Sequence, residues 1–201
     1  MINQEVKGTL AKLLATENLT VEHRKVTTAS FDVVNRVLVL PIWKTASSTV
    51  YDLLVGHEVG HALYTPDTVH DANRGFVNVL EDVRIEKMMK RTYPGLRKSF
   101  FEGYTELNDD DFFGVNDEDL TKIPFIDRIN LWFKGNPNIQ FSDEEQVWVD
   151  RAAKTETFDE VVQLAIDLYG RAEKIEDEKE DEDADLDKNV GDMDLSDLGD
   201  V

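Results

Sequence analysis

Residues 57–61 read His-Glu-Val-Gly-His, and no other stretch of the chain concentrates as much chemistry. On an α-helix, positions i and i+4 lie one turn apart on the same face. His57 and His61 can therefore aim both imidazoles at one Zn²⁺. Glu58 sits about 100° further round the helix, where a carboxylate can act as general base towards water on the metal. Imidazole suits zinc, and zinc lowers the pKa of bound water towards about 7. The spacing thus predicts one zinc site per chain and a water-activating reaction.

The element that must carry this motif is legible around it. Ser47 and Ser48 are N-cap residues, Tyr51, Leu54, Val55 and Ala62 follow at helical spacing, and Pro66 stops the run by pushing Thr65 out of the α region. Gly56 and Gly60 each cost a helix about 1 kcal/mol against Ala. That cost predicts close approach of the sheet or of a second helix.

A catalytic zinc takes a third protein ligand and keeps one position for water. Asp67 lies six positions after His61, but the Gly expected midway in that short pattern is Tyr64. A second helix, 74–91, offers Glu81. Its same-face neighbours include Val77, Ile85 and Met88, so the carboxylate should be buried and must be compensated. A metal would do so, and so would a salt bridge to Arg84. Asp82 fits a role behind a ligand histidine, and Glu86 pairs with Lys90 in solvent. The tetrahedral oxyanion of peptide hydrolysis needs a stabiliser. Tyr64, at i+3 from His61, is the first candidate, with Tyr93, Tyr104 and Arg84 behind it. His23 reads as structural, and His70 as a residue that could line the cleft.

HEVGHALY followed by a helix containing NVLED resembles the gluzincin class of zinc metallopeptidases across residues 34–92. The resemblance implies a zincin-like fold, His57, His61 and Glu81 as zinc ligands, Glu58 as general base, and a peptide or protein substrate. It also implies that residues 34–40 form an edge strand that holds the substrate by strand addition. The chain departs from the class at Ile85, where an Asp is usual. HEVGHALYTP with LEDVRIE is also similar to peptidases of tailed phages. It is similar too to the N-terminal part of cobalt-chelatase-like proteins, in which an acidic linker leads to a von Willebrand factor A domain. This second similarity keeps open a non-enzymatic reading, a metal-stabilised interaction module partnering an AAA+ or von Willebrand factor A-type assembly.

Composition sets the bounds. The chain has 201 residues, no Cys and a net charge of −20, which excludes disulfides, thiol chemistry and a basic surface for nucleic acid. The first residues lack the pattern of a signal peptide and no apolar run spans a membrane. A cytoplasmic protein is expected, in the host cytoplasm if phage-encoded. Residues 173–201 hold 14 Asp/Glu against 3 Lys. They are expected to be a disordered acidic tail that could dock a protein partner, and the abrupt end DLSDLGDV reads as leading to a following domain. Asp183, Asp185, Asp187 and Asn189 are spaced like a calcium loop, but the turn Gly is missing.

The organisation expected is a domain over 1–172 and the tail over 173–201. The fold class is α+β: a helix-rich zincin-like domain with a small antiparallel sheet, plus the disordered acidic C-terminal tail. Helices are expected at 2–17, 95–107, 125–134, 142–153 and 157–170, and strands at 24–32 and 34–41. Phe100, Phe101, Phe125, Ile129, Trp132, Phe133, Trp148 and Phe158 are the expected core anchors, and the loop 108–119 is expected to be exposed.

Overall fold

The computed structural model describes residues 3–68 and 70–191, with side chains to residue 175. The fold is α+β and helix-rich. Its helices are α1 (Gln4–Ala15), α2 (Ser48–Tyr64), α3 (Arg74–Thr92), α4 (Leu96–Asp109), α5 (Phe125–Phe133), α6 (Asp143–Lys154) and α7 (Phe158–Gly191). Three short strands, β1 (Thr20–Arg24), β2 (Ser30–Asp32) and β3 (Val37–Pro41), lie in the order β1-β3-β2.

The sheet is mixed rather than antiparallel. β3 pairs in parallel with β1, Thr20 opposite Val37 through Arg24 opposite Pro41, and antiparallel with β2. β3 is therefore the central strand, with Leu38 and Leu40 fully buried. This corrects the expectation that residues 34–40 form a free edge for a peptide. A backbone already paired on both sides has few ladder groups left to give, so an added strand would have to pair with β1 or β2.

Two apolar cores fill the molecule. One gathers α1, the sheet, α2 and α4 around Leu38, Leu53, Val55, Val59 and Phe100; the other gathers α5, α6 and α7 around Ile129, Val149, Val161 and Leu164. α3 serves both, giving Met89 to the first and Val77 and Leu80 to the second. The described buried residues of α7 end at Leu168. The helix backbone continues into the acidic segment to Gly191. The expectation of disorder covers 173–201, of which 173–175 are described with side chains, 176–191 as backbone alone and 192–201 not at all; the calcium-like loop at 183–189 falls where side chains lie outside the described residues.

α2 is held at both ends. The Ser47 hydroxyl accepts from the Val50 amide at its start. Lys7 of α1 is buried against that end, its ammonium donating to Ser48 Oγ at 2.9 Å and Asp52 Oδ1 at 2.5 Å. At the other end Arg36 Nη2 donates to the Ala62 carbonyl at 2.8 Å. The Tyr51 hydroxyl ties the first turn of the helix to the sheet by donating to the Pro41 carbonyl at 2.6 Å.

The two glycines of α2 are explained by its neighbours. A Cβ on Gly60 would meet Ile85 and Met89 of α3 at 3.1 Å, and one on Gly56 would meet the Phe100 ring of α4 at 2.9 Å. Close approach of the Glu81 helix is thus seen at Gly60, whereas Gly56 faces α4 rather than the sheet. Gly56→Ala gains about 1 kcal/mol of helix propensity but must displace an aromatic ring in a filled core, at about 1–3 kcal/mol. A net loss of up to about 2 kcal/mol is expected in urea unfolding; a gain in stability would show that Phe100 yields freely.

Some expected anchors face water. Phe101 is 75 % exposed and Trp132 42 %, while Phe100 and Ile129 are buried. On α1 the buried face runs through Lys7, Ala11 and Ala15, leaving Val6 and Leu13 outside.

Candidate metal centre

His57 and His61 project from one face of α2 towards α3, as the i, i+4 spacing requires. His57 Nε2 lies 3.5 Å and His61 Nε2 3.2 Å from one and the same atom, Asp82 Oδ1. One donor atom from each residue falls within 4.8 Å of the other two, so the three side chains could hold a metal ion. They are between 15 % and 21 % exposed, which leaves the cluster reachable from solvent.

The far nitrogen of each histidine is also held. His57 Nδ1 lies 3.0 Å from Glu86 Oε1, and Glu86 also accepts from Lys90 Nζ at 3.1 Å and from the Tyr104 hydroxyl. A carboxylate accepts only, so His57 Nδ1 carries the proton. His61 Nδ1 lies 2.9 Å from Thr65 Oγ1, whose single proton goes to Glu81 Oε1 at 2.6 Å. Thr65 must then accept from His61, and His61 Nδ1 carries the proton too. Both rings are thereby oriented with Nε2 towards Asp82. Carboxylate or hydroxyl partners behind metal-binding histidines do this same work.

Glu81 is placed elsewhere. It is 2 % exposed, as its apolar neighbours required, but Arg84 compensates it: Nε donates to Oε2 at 2.8 Å and Nη2 to Oε1 at 2.6 Å. Arg84 Nη2 also donates to the Tyr64 carbonyl at 2.7 Å, joining the end of α2 to the middle of α3. The salt bridge weighed against metal ligation is what the fold contains, and Asp82, one residue on, faces the histidines. Tyr64 is likewise turned away. Its hydroxyl is hydrogen-bonded to Thr92 Oγ1 at 2.8 Å, ten residues or about 15 Å along α3 from Asp82. The other oxyanion candidates are also committed, Tyr93 to the Leu14 carbonyl, Tyr104 to Glu86 and Arg84 to Glu81. His70 packs its ring 6.0 Å from that of Phe158, and His23 lies on β1.

Glu58 is 6 % exposed. Burial raises its pKa above the ordinary glutamate value, and the positive charges of His57, His61 and Lys134 oppose that rise. It therefore sits within the field of the cluster as a carboxylate that gains by taking a proton. Glu86 moves the other way: burial would raise it, but the His57 hydrogen bond, Lys90 and Tyr104 hold it below the usual range.

His57 and Asp82 hold each other charged. Burial alone would lower His57, but the Asp82 charge and the Glu86 hydrogen bond outweigh it and push the ring up to about 9. Asp82 is pulled well below the usual carboxylate range by His57, by His61 and by Lys134, against its burial. A histidine raised in the folded state stabilises the metal-free protein fully below its unfolded value of about 6.5. That contribution is lost as pH rises through about 9. Metal uptake below that pH must displace the His57 proton. Proton release is expected in weakly buffered titrations at pH 7, with affinity rising towards pH 9, and pH-independent binding would contradict it.

One contributor, and the contact made by another, were out of reach of local patterns. Lys134, at the end of α5, donates to Asp82 Oδ2 at 3.1 Å, and Tyr104 comes from α4. Comparison with protein-family models, with curated proteins and with solved structures gives no match. Among the described residues no helix is long and apolar enough to cross a membrane.

Proposed function

We propose that this chain is a zinc-dependent hydrolase of peptide bonds, with His57, His61 and Asp82 as the metal ligands. The observation that carries the reading is the convergence of both Nε2 atoms on Asp82 Oδ1, with a buried glutamate between the histidines in sequence. The donor set fits the ion. Four ligands placed tetrahedrally at zinc's usual bond lengths of about 2.0–2.2 Å stand about 3.3–3.6 Å apart, close to the 3.2 and 3.5 Å here. Two neutral imidazoles and one carboxylate leave a net positive centre, as in catalytic zinc sites with an open position.

A zinc ion held there would supply Lewis acidity, polarising a carbonyl and lowering the pKa of water. Glu58 takes the proton from the attacking water and returns it to the leaving amine. Its raised pKa brings proton affinity closer to neutral pH, where a group that must both accept and donate works best. Glu86 and Thr65 keep the two histidines in the tautomer that leaves Nε2 free. Arg84 and Glu81 lock α2 to α3, so the ligands from two helices keep their separation. A protein or peptide substrate would reach the centre from its solvent-facing side.

The test is hydrolysis of an unfolded protein and of a peptide library by zinc-loaded enzyme, with and without chelator. Cleavage that chelator abolishes and zinc restores supports the reading. Stoichiometric zinc with no cleavage of any substrate in the library would overturn the hydrolase and favour a metal-stabilised interaction module.

A further inference from the structure

One cation reaches the cluster without belonging to it. Lys134 Nζ donates to Asp82 Oδ2 at 3.1 Å, and the lysine side chain is 17 % exposed. The two oxygens of Asp82 are thus divided: Oδ1 faces both histidine Nε2 atoms, and Oδ2 faces an ammonium. Lys134 is held there by its own backbone. It ends α5, its carbonyl accepts from Asn108 Nδ2 at 2.9 Å, and its amide donates to the Asn130 carbonyl at 3.0 Å. Gly135 follows in the left-handed region at φ +78°, donating to the Trp132 carbonyl, and the Asn136 amide closes back on the Leu131 carbonyl. A lysine fixed on both sides of its Cα and pointed at a half-buried carboxylate is a built contact.

We propose that Lys134 is a positioning residue that confines Asp82 to coordination through one oxygen. A carboxylate can bind a metal through one oxygen or through both. In the second mode Asp82 would fill the position that a hydrolytic centre must leave to solvent. An ammonium on Oδ2 disfavours this because it takes one of that oxygen's lone pairs and sets a positive charge where a second cation would have to approach. It also draws charge from the ligand, leaving the ion a stronger acid. The contact acts from behind the ligand, as residues around metal sites do when they tune geometry. The inference rests on the metal-centre reading above and concerns how many coordination positions the protein fills.

Cobalt(II) substitution tests it without any hydrolysis assay. Four-coordinate cobalt absorbs visible light strongly and centres of higher coordination number weakly, so the spectrum counts ligands. The wild type is expected to give the intense four-coordinate band. K134M keeps the length and loses the donor; its band is expected to weaken and its metal affinity to change by about 10–100-fold. K134R, which keeps charge and donor, should restore the wild-type spectrum. K134Q, too short to reach Oδ2, serves in place of K134M should that variant not fold. A full-intensity band in K134M and K134Q overturns the positioning role while leaving the metal centre intact. A wild type that binds no cobalt overturns the metal centre, and the positioning role with it.

Discussion

Glu58→Gln is expected to bind zinc as the wild type does and to lose hydrolysis by at least about 100-fold, the lower end of general-base contributions. The amide keeps the shape of the side chain in a site where the residue is 6 % exposed, so neither packing nor the ligand set changes. What it loses is the ability to take a proton. Stability should not fall: burial raises the Glu58 pKa, so its ionised form is disfavoured in the folded state, and a neutral isostere removes that penalty at neutral pH. The measurement is kcat for the chelator-sensitive cleavage, beside zinc content and the melting temperature. Equal cleavage by both proteins would remove Glu58 from the mechanism.

Glu81→Ala is expected to cost about 3–5 kcal/mol of folding stability, because it strands the Arg84 guanidinium in a buried position. Arg84 is 3 % exposed and would keep only its contacts to the Tyr64 and Glu156 carbonyls and Met88. The loss should be as large in chelator-treated protein as in zinc-loaded protein, because the ion pair needs no metal. Denaturant unfolding of both forms gives the comparison. A loss confined to the zinc-loaded form would return Glu81 to the ligand set.

The choice between Glu81 and Asp82 shows where sequence reading ends. One residue on a helix is a rotation of about 100°. The pattern around α3 could not fix that rotation, because the helix is apolar towards two cores at once, through Met89 on one side and Leu80 on the other. The burial of Glu81 followed correctly from its neighbours; its partner did not, since a metal and Arg84 satisfy the same requirement. Glu86 was misplaced in solvent for a similar reason. Lys90 at i+4 is its partner as expected, but the carboxylate is 4 % exposed and also serves His57.

Local signals held well where a few residues decide the outcome. The Ser47 cap, the stop at Thr65 and the i, i+4 histidines placed α2 and the side of it that faces Asp82. The later helices fell within a few residues of their expected starts, since Pro124 and the Ser142 capping box act within one turn. Long-range pairing was hidden. Nothing in β1 or β3 announces that they run parallel with β2 outside them, and nothing near Lys134 announces Asp82, 52 positions away. Side chains brought together by packing of distant elements leave no periodicity to read.

The central claim is that His57, His61 and Asp82 bind one metal ion, and metal content tests it most directly. Wild type, Asp82→Ala and Glu81→Gln are purified without added metal, exposed to zinc, passed through a desalting column and analysed for zinc per chain. The account predicts close to one zinc in the wild type and in folded Glu81→Gln, and little in Asp82→Ala. Zinc retained by Asp82→Ala but lost from folded Glu81→Gln would contradict it.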